Sequence, residues 1–309
     1  MSKPTIFVIG EVSSGKSSFI NSLIGGYISN ASLQRETFNP LWYQFSSTGK
    51  EDNIVNIANN LEAKHKENEN KREKINNLKE EAISSLDMIC DDGKQLPIRY
   101  GLSDMNIIDF PGINDSDDLN NKFLKAVENR IDQADLIIYI TDSSRAFMNA
   151  SEIILLNKIT NMVEKIKLDG QFIDLIVVAN KFDNASDDDL TEICGRIAKK
   201  INFNEDKIFR FSSHKLFINT IIMHKLNVFV PKYSLKEITK ILQNSNVLIS
   251  KKIKENLMNE FMLKYNDIEY AENLEENMNN NSTIDNNGDW NNIINYLTDF
   301  SKKYTNECF

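Results

Sequence analysis

Gly10-Glu11-Val12-Ser13-Ser14-Gly15-Lys16-Ser17 fits the pattern GxxxxGK[ST] at every fixed position. It also stands where such a loop has to stand. The run before it, Thr5-Ile6-Phe7-Val8-Ile9, reads as an apolar strand, and Lys16 to Ile24 reads as a helix. Glycines permit a tight backbone turn whose N–H groups converge on phosphate oxygens, and the helix N-terminus adds its dipole. In such a loop Gly10, Glu11, Val12, Ser13, Ser14, Gly15, Lys16, Ser17 and the following Ser18 surround a nucleotide's phosphates. Lys16 reaches the β- and γ-phosphates, and the Ser17 hydroxyl can coordinate Mg2+.

Further apolar runs follow at Met105–Ile108, Leu136–Ile140 and Leu175–Ala179. The last two are short and nearly continuous, as expected for central parallel strands covered on both faces. Helical patterns lie between them near 120–131, 151–166 and 188–200. The alternation predicts an α/β fold of the P-loop NTPase class, a mainly parallel sheet flanked by helices.

Two of these runs lead directly into residues with chemistry. Asp109-Phe110-Pro111-Gly112 follows the Met105 strand and matches a Walker B carboxylate fused to a DxxG turn. Asp109 is predicted to hold the magnesium and the Gly112 amide to sense the γ-phosphate. Asn180-Lys181-Phe182-Asp183 closes the Leu175 strand. The Asp183 carboxylate can accept from the N1–H and the 2-amino group of guanine, a donor pair that adenine lacks. Lys181 is expected to stack its stem on the base, so the ligand is read as GTP or GDP rather than ATP. Thr37, between the first helix and the next strand pattern, is placed in a switch loop touching Mg2+, with Thr48 as the competitor. Ser212 and Ser213, after the run 207–211, are candidates for the base edge or for an ordinary turn. His65, His214 and His224 show no ligand spacing.

The bulk numbers agree with this class and exclude others. The 309 residues are 41% hydrophobic and 26% charged, the balance of a soluble globular chain. A net charge of −9 argues against nucleic acid, whose affinity rests on Lys and Arg. Cys90, Cys194 and Cys308 are widely spaced and odd in number, which fits free thiols in a reducing compartment. No apolar run approaches the roughly 18 residues of a membrane span. With no signal-peptide layout or prenylation box, cytoplasm is the expected location.

Two regions depart from the alternating plan. Residues 50–90 carry Ile54, Ile57, Ala58, Leu61 and then Ile75, Leu78, Ala82, Leu86 at helical spacing around a wholly polar stretch, and read as a helical insertion. After Pro231 the strand signals stop, giving a nucleotide domain over 1–231 and a C-terminal helical segment over 232–309. Within the latter, the Asn- and acid-rich 271–289 reads as a linker, and Trp290 to Phe300 as a terminal helix.

Taken together these motifs resemble the dynamin superfamily of large GTPases over residues 4–230. The marks are Gly15-Lys16-Ser17-Ser18 followed by Asn21, Leu23 and Gly25, Thr37 with Pro40 after it, and Asn149-Ala150-Ser151-Glu152. The long interval of 93 residues from Lys16 to Asp109, filled by the helical insertion, is another. The resemblance implies GTP hydrolysis with Lys16, Thr37 and Gly112 in the catalytic set and Thr37 positioning the water. It implies that Ser13 helps to neutralise transition-state charge, in many members with a bound K+ or Na+. It also implies a GTP-dependent homodimer through the GTPase domain and is compatible with peripheral membrane association. The chain departs from the family at Val12, where a glutamine is typical, and at Asp115, where a lysine is common. Those departures leave open a GTP-binding scaffold with little hydrolysis. An Era-like ribosome-associated GTPase is the other alternative, since such proteins share the Gly15–Gly25 stretch.

Overall fold

The computed structural model describes residues 3–24, 40–50, 89–97, 102–113, 124–145, 147–181, 187–213 and 290–306. Seven strands form one sheet: β1 (Thr5–Gly10), β2 (Leu41–Ser46), β3 (Ile89–Pro97), β4 (Met105–Asp109), β5 (Leu136–Asp142), β6 (Asp174–Asn180) and β7 (Ile208–Arg210). Their spatial order is β3-β2-β4-β1-β5-β6-β7. All neighbours pair in parallel except β2 with β4, which run antiparallel. The expected α/β architecture with a mainly parallel sheet is therefore present. The predicted apolar runs all form strands, with β6 beginning at Asp174, one residue earlier than its run.

Alternation along β1 shows why these strands lack a polar face. Ile6 and Val8 point into one core cluster, Phe7 and Ile9 into the other, and all four are fully buried. The first cluster is covered by α1 (Lys16–Ile24), through Phe19, Ile20, Leu23 and Ile24, and by α4 (Trp290–Asn306). The second is covered by α2 (Ala150–Leu168), through Leu155, Leu156, Ile159 and Val163, and by α3 (Asp187–Ile201), through Ile197 and Ile201. Crossover helices thus lie on both faces, and the C-terminal ends of β1, β4, β5 and β6 gather along one edge.

The edge beyond β4 was harder to anticipate. β3, Ile89–Pro97, has the sequence ICDDGKQLP and pairs with β2 through a register shift between Trp42 and Gln44. Its first two residues fall inside the stretch 50–90 read as a helical insertion and form strand instead; residues 51–88 of that stretch lie outside the described residues. The predicted linker at 271–289 also lies outside them. The C-terminal helix runs from Trp290 to Asn306 and contributes Ile293, Ile294, Leu297 and Phe300 to the core. Tyr296 packs on Phe209 with ring centroids 5.3 Å apart and donates its hydroxyl to Asp174, which also pairs with Lys207. Among the described residues no helix is long and apolar enough to cross a membrane.

Leu297 has no exposed surface. Leu297→Ala is expected to cost about 2–5 kcal/mol of stability, measured by urea unfolding. A loss below about 1 kcal/mol would mean that α4 is not part of the folded core.

Candidate functional site

The loop from Gly10 to Gly15 closes on its own backbone. The Glu11 carbonyl accepts the Ser14 N–H (3.3 Å) and the Lys16 ammonium (2.9 Å). Ser13 stands at φ 62° and Gly15 at φ 95°, so two left-handed residues turn the chain before α1 begins. Gly15 is required for a second reason. A Cβ there would lie 2.1 Å from the Asn180 amide nitrogen.

Asn180, at the end of β6, is completely buried, and its carboxamide joins two loops. Nδ2 donates to the Ser14 carbonyl (3.0 Å), while Oδ1 accepts from the Ser213 N–H (3.0 Å) and hydroxyl (2.8 Å). The predicted residues Asn180, Ser14 and Ser213 therefore meet, with Ser212 buried alongside. Lys181 follows at φ 64° and donates its ammonium to the Ser13 carbonyl (2.6 Å) and to Asp142 (2.7 Å). Its charged end is thus held on the P-loop, while Asp183 lies outside the described residues.

Behind the phosphate end, the Ser17 hydroxyl donates to Asp109 Oδ2 (3.1 Å). Asp109 is fully buried, and its Oδ1 has no hydrogen-bond partner among the described residues. Burial pushes its carboxyl up to about 6, against the opposing pull of Lys16 and of the Ser17 bond. One hydroxyl plus one buried carboxylate with an unpaired oxygen, beside a phosphate-binding loop, fits Mg2+. That ion takes few protein oxygens and fills its shell with phosphate and water. The DxxG turn is joined to the P-loop by a parallel bridge between Glu11 and Ile113 and by the Ile113 N–H donating to the Gly10 carbonyl (3.3 Å). Val12 lies against Gly112, where a Cβ would be 2.9 Å from a Val12 methyl.

Ser18 is half-buried in the first turn of α1. Thr37 and Asp115 lie outside the described residues. The competing Thr48 is engaged elsewhere: its hydroxyl donates to Gln95 (2.9 Å) and shares a hydrogen bond with Ser46 (3.1 Å).

Two features of the site escaped the motif reading. The first is Asp142, the last residue of β5, whose carboxylate takes Lys181. Its one sequence signal was its position, a polar residue ending an apolar strand at the edge where parallel sheets bind ligands. The second is a carboxylate pair below the P-loop. The Ser151 hydroxyl donates to Glu11 (3.4 Å), while Glu152 accepts from Thr141 (2.6 Å) and from the Phe147 N–H (2.7 Å). Burial, then the Glu152 charge, push Glu11 up to about 7, outweighing Ser151, Arg145 and Lys16.

The raised Asp109 carboxyl sets a pH dependence. The folded chain holds this proton up to about pH 6, while the unfolded chain releases it near the ordinary 3.8. The folded state binds more protons across that window, so metal-free stability falls as pH rises through it. Asp109→Asn should flatten that slope and raise metal-free stability at neutral pH by about 1–3 kcal/mol. The same change should eliminate the stabilisation produced by Mg2+ with nucleotide. Thermal unfolding in chelator against pH, repeated with Mg2+ and GDP, checks both. An Asp109→Asn chain with the parental slope would refute the assignment.

Residues 6–182, more than half of the chain, match the sequence profile of the dynamin family. No curated protein sequence matches the chain. Among solved structures it is similar to Era from Aquifex aeolicus bound to GDP and AlF4−, at 15% identity with a TM-score of 0.43, covering 70% of this chain and 52% of that one. It is similar to a member of an oligomerised bacterial dynamin pair described as sensing and tethering membranes, at 18% identity and a TM-score of 0.42, covering 90% of this chain and 51% of that one. Toc33 from Arabidopsis thaliana is similar at 13% identity and a TM-score of 0.40, with 69% and 72% covered. The chain spans about half the length of the Era and bacterial dynamin chains that it matches. A nucleotide loop built on this sheet, with the profile match across it, places the chain in the dynamin family.

Proposed function

We propose that this chain binds GTP with Mg2+ and hydrolyses it to GDP and phosphate, using its switch loops to control association with itself or with partners. The observation that carries the reading is the buried Ser17–Asp109 pair beside the P-loop, with its unpaired carboxylate oxygen. Mg2+, when bound, neutralises charge on the β- and γ-phosphates. Ser17 and Asp109 hold it, with Thr37 as a third ligand. Lys16 leaves the Glu11 carbonyl for the phosphates. Gly112 offers its amide to the γ-phosphate, Thr37 positions the attacking water and Ser13 faces the developing charge. Asp183 selects guanine through its two acceptor oxygens, and Asn180 with Ser213 sets the loop beneath the base. Catalysis in this scheme is positioning and electrostatic stabilisation.

Ser13 would be the residue to hold a monovalent cation, K+ or Na+, which would help to offset the developing charge, and the GTP-loaded domain pairs with a second copy. The chain works in the cytoplasm, in part at a membrane surface, without nucleic acid. The net charge of −9 supports that last point against an Era-like role.

A second reading, a GTP-binding scaffold with slow turnover, is favoured by one specific contact. Val12 fills the space against Gly112, the position from which the family's glutamine works. Single-turnover hydrolysis with and without K+ separates the two readings.

Lys16→Ala removes the charged phosphate contact and should weaken GTP binding by roughly a hundredfold, with no detectable hydrolysis. Competition against ATP should leave wild-type GTP binding intact. Unchanged turnover in Lys16→Ala would sink the proposal, and displacement by ATP would sink the guanine assignment.

A further inference from the structure

We infer that Asp142 is a positioning residue of the nucleotide site, holding Lys181 and through it the P-loop at Ser13. The inference rests on the guanine-nucleotide reading above and assigns a role outside its motifs. Asp142 ends β5 in register with Asn180 on β6, and the Ser143 N–H donating to the Asn180 carbonyl (2.8 Å) extends that pairing by one step. The Asp142 backbone is therefore fixed beside the NKxD segment before any side chain acts.

The carboxylate is then oriented from both sides. Oδ1 accepts from the Ser144 N–H (3.1 Å) and the Ser144 hydroxyl (2.6 Å). Oδ2 accepts from the Lys181 ammonium (2.7 Å), with an Arg145 guanidinium nitrogen 3.6 Å away. Asp142 is nearly buried, yet its carboxyl is held below the usual carboxylate range. Burial alone would raise it, and the bonds from Lys181 and Ser144 outweigh that. A charge-assisted, oriented pair of this kind is stronger than a surface ion pair.

The consequence lies at the other end of Lys181. Its ammonium also donates to the Ser13 carbonyl (2.6 Å), and both Ser13 and Lys181 occupy left-handed backbone that non-glycine residues adopt only when their surroundings hold them there. A lysine free to swing would be drawn to the anionic phosphates. Paired with Asp142 it keeps its stem toward the base and its tip under the P-loop, so one carboxylate sets both ends of the site.

The test is a double-mutant cycle on binding of a fluorescent GDP analogue with Mg2+. Asp142→Asn keeps the shape but presents an amide to the ammonium, and affinity should fall about tenfold. Asp142→Glu should recover part of it. In a Lys181→Met background the Asp142→Asn change should cost nothing further, a non-additivity that mere structural damage would not produce. Ser144→Ala leaves both partners of the cycle unaltered but removes the hydroxyl that holds Asp142 Oδ1; it should weaken binding severalfold by loosening the carboxylate, and it stands as the test should Lys181→Met abolish binding. The inference is overturned by wild-type affinity in Asp142→Asn, by additive losses in the cycle, or by wild-type affinity in Ser144→Ala. A wild-type chain that binds no guanine nucleotide overturns the nucleotide reading as well, so the two failures are distinct.

Discussion

The carboxamide of Asn180 can make a small number of hydrogen bonds, and among the described residues its three go to other loops: one to Ser14 and two to Ser213. It does this with no surface exposed, where an unmade hydrogen bond carries its full desolvation cost. The P-loop, the end of β6 and the turn after β7 therefore share one conformation. Gly15 belongs to that constraint as much as to any ligand, because a side chain there would displace the amide. Lys181 and Asp142 repeat the arrangement one residue outward, with charges in place of dipoles.

The sheet makes this economy possible. Parallel pairing puts the C-terminal ends of β1, β4, β5 and β6 along one edge, so residues distant in sequence become neighbours without long loops. Glu11 and Ser151 meet across 140 positions of chain, and Asp109 reaches Ser17 across 92. Burial on both faces leaves the strands little freedom, and the polar network at their ends inherits that rigidity. Its carboxylates are perturbed in consequence: Asp109 and Glu11 are pushed up by burial, while Asp142 is held down by its bonds from Lys181 and Ser144 despite it.

Much of this was legible in the residues. Continuous apolar runs such as LIIYI at 136–140 announce central strands, and the fixed spacing of the P-loop announces the chemistry of the turn that follows β1. What was not legible depends on contacts rather than on local pattern. β3 contains Asp91, Asp92, Gly93 and Lys94 in one strand and takes its structure from an edge pairing with a shifted register, which no periodicity reveals. Asp142 looks like any polar residue closing a strand until Lys181 is seen to reach it. Asn180 was legible as part of a guanine motif, but its work as a brace between loops appears only once Ser14 and Ser213 are beside it.

The docking of α4 has a consequence for how the chain is made. Ile293, Ile294, Leu297 and Phe300 complete a core cluster whose other members lie between Ile6 and Phe211. On the order of 80 residues separate β7 from that helix, and at about 5–20 residues per second of synthesis their production takes several seconds. During that interval the face of β6 and β7 has been made but its cover has not. Until the 290–306 helix is made, the apolar cluster on β6 and β7 lacks the side chains of Ile293, Ile294, Leu297 and Phe300.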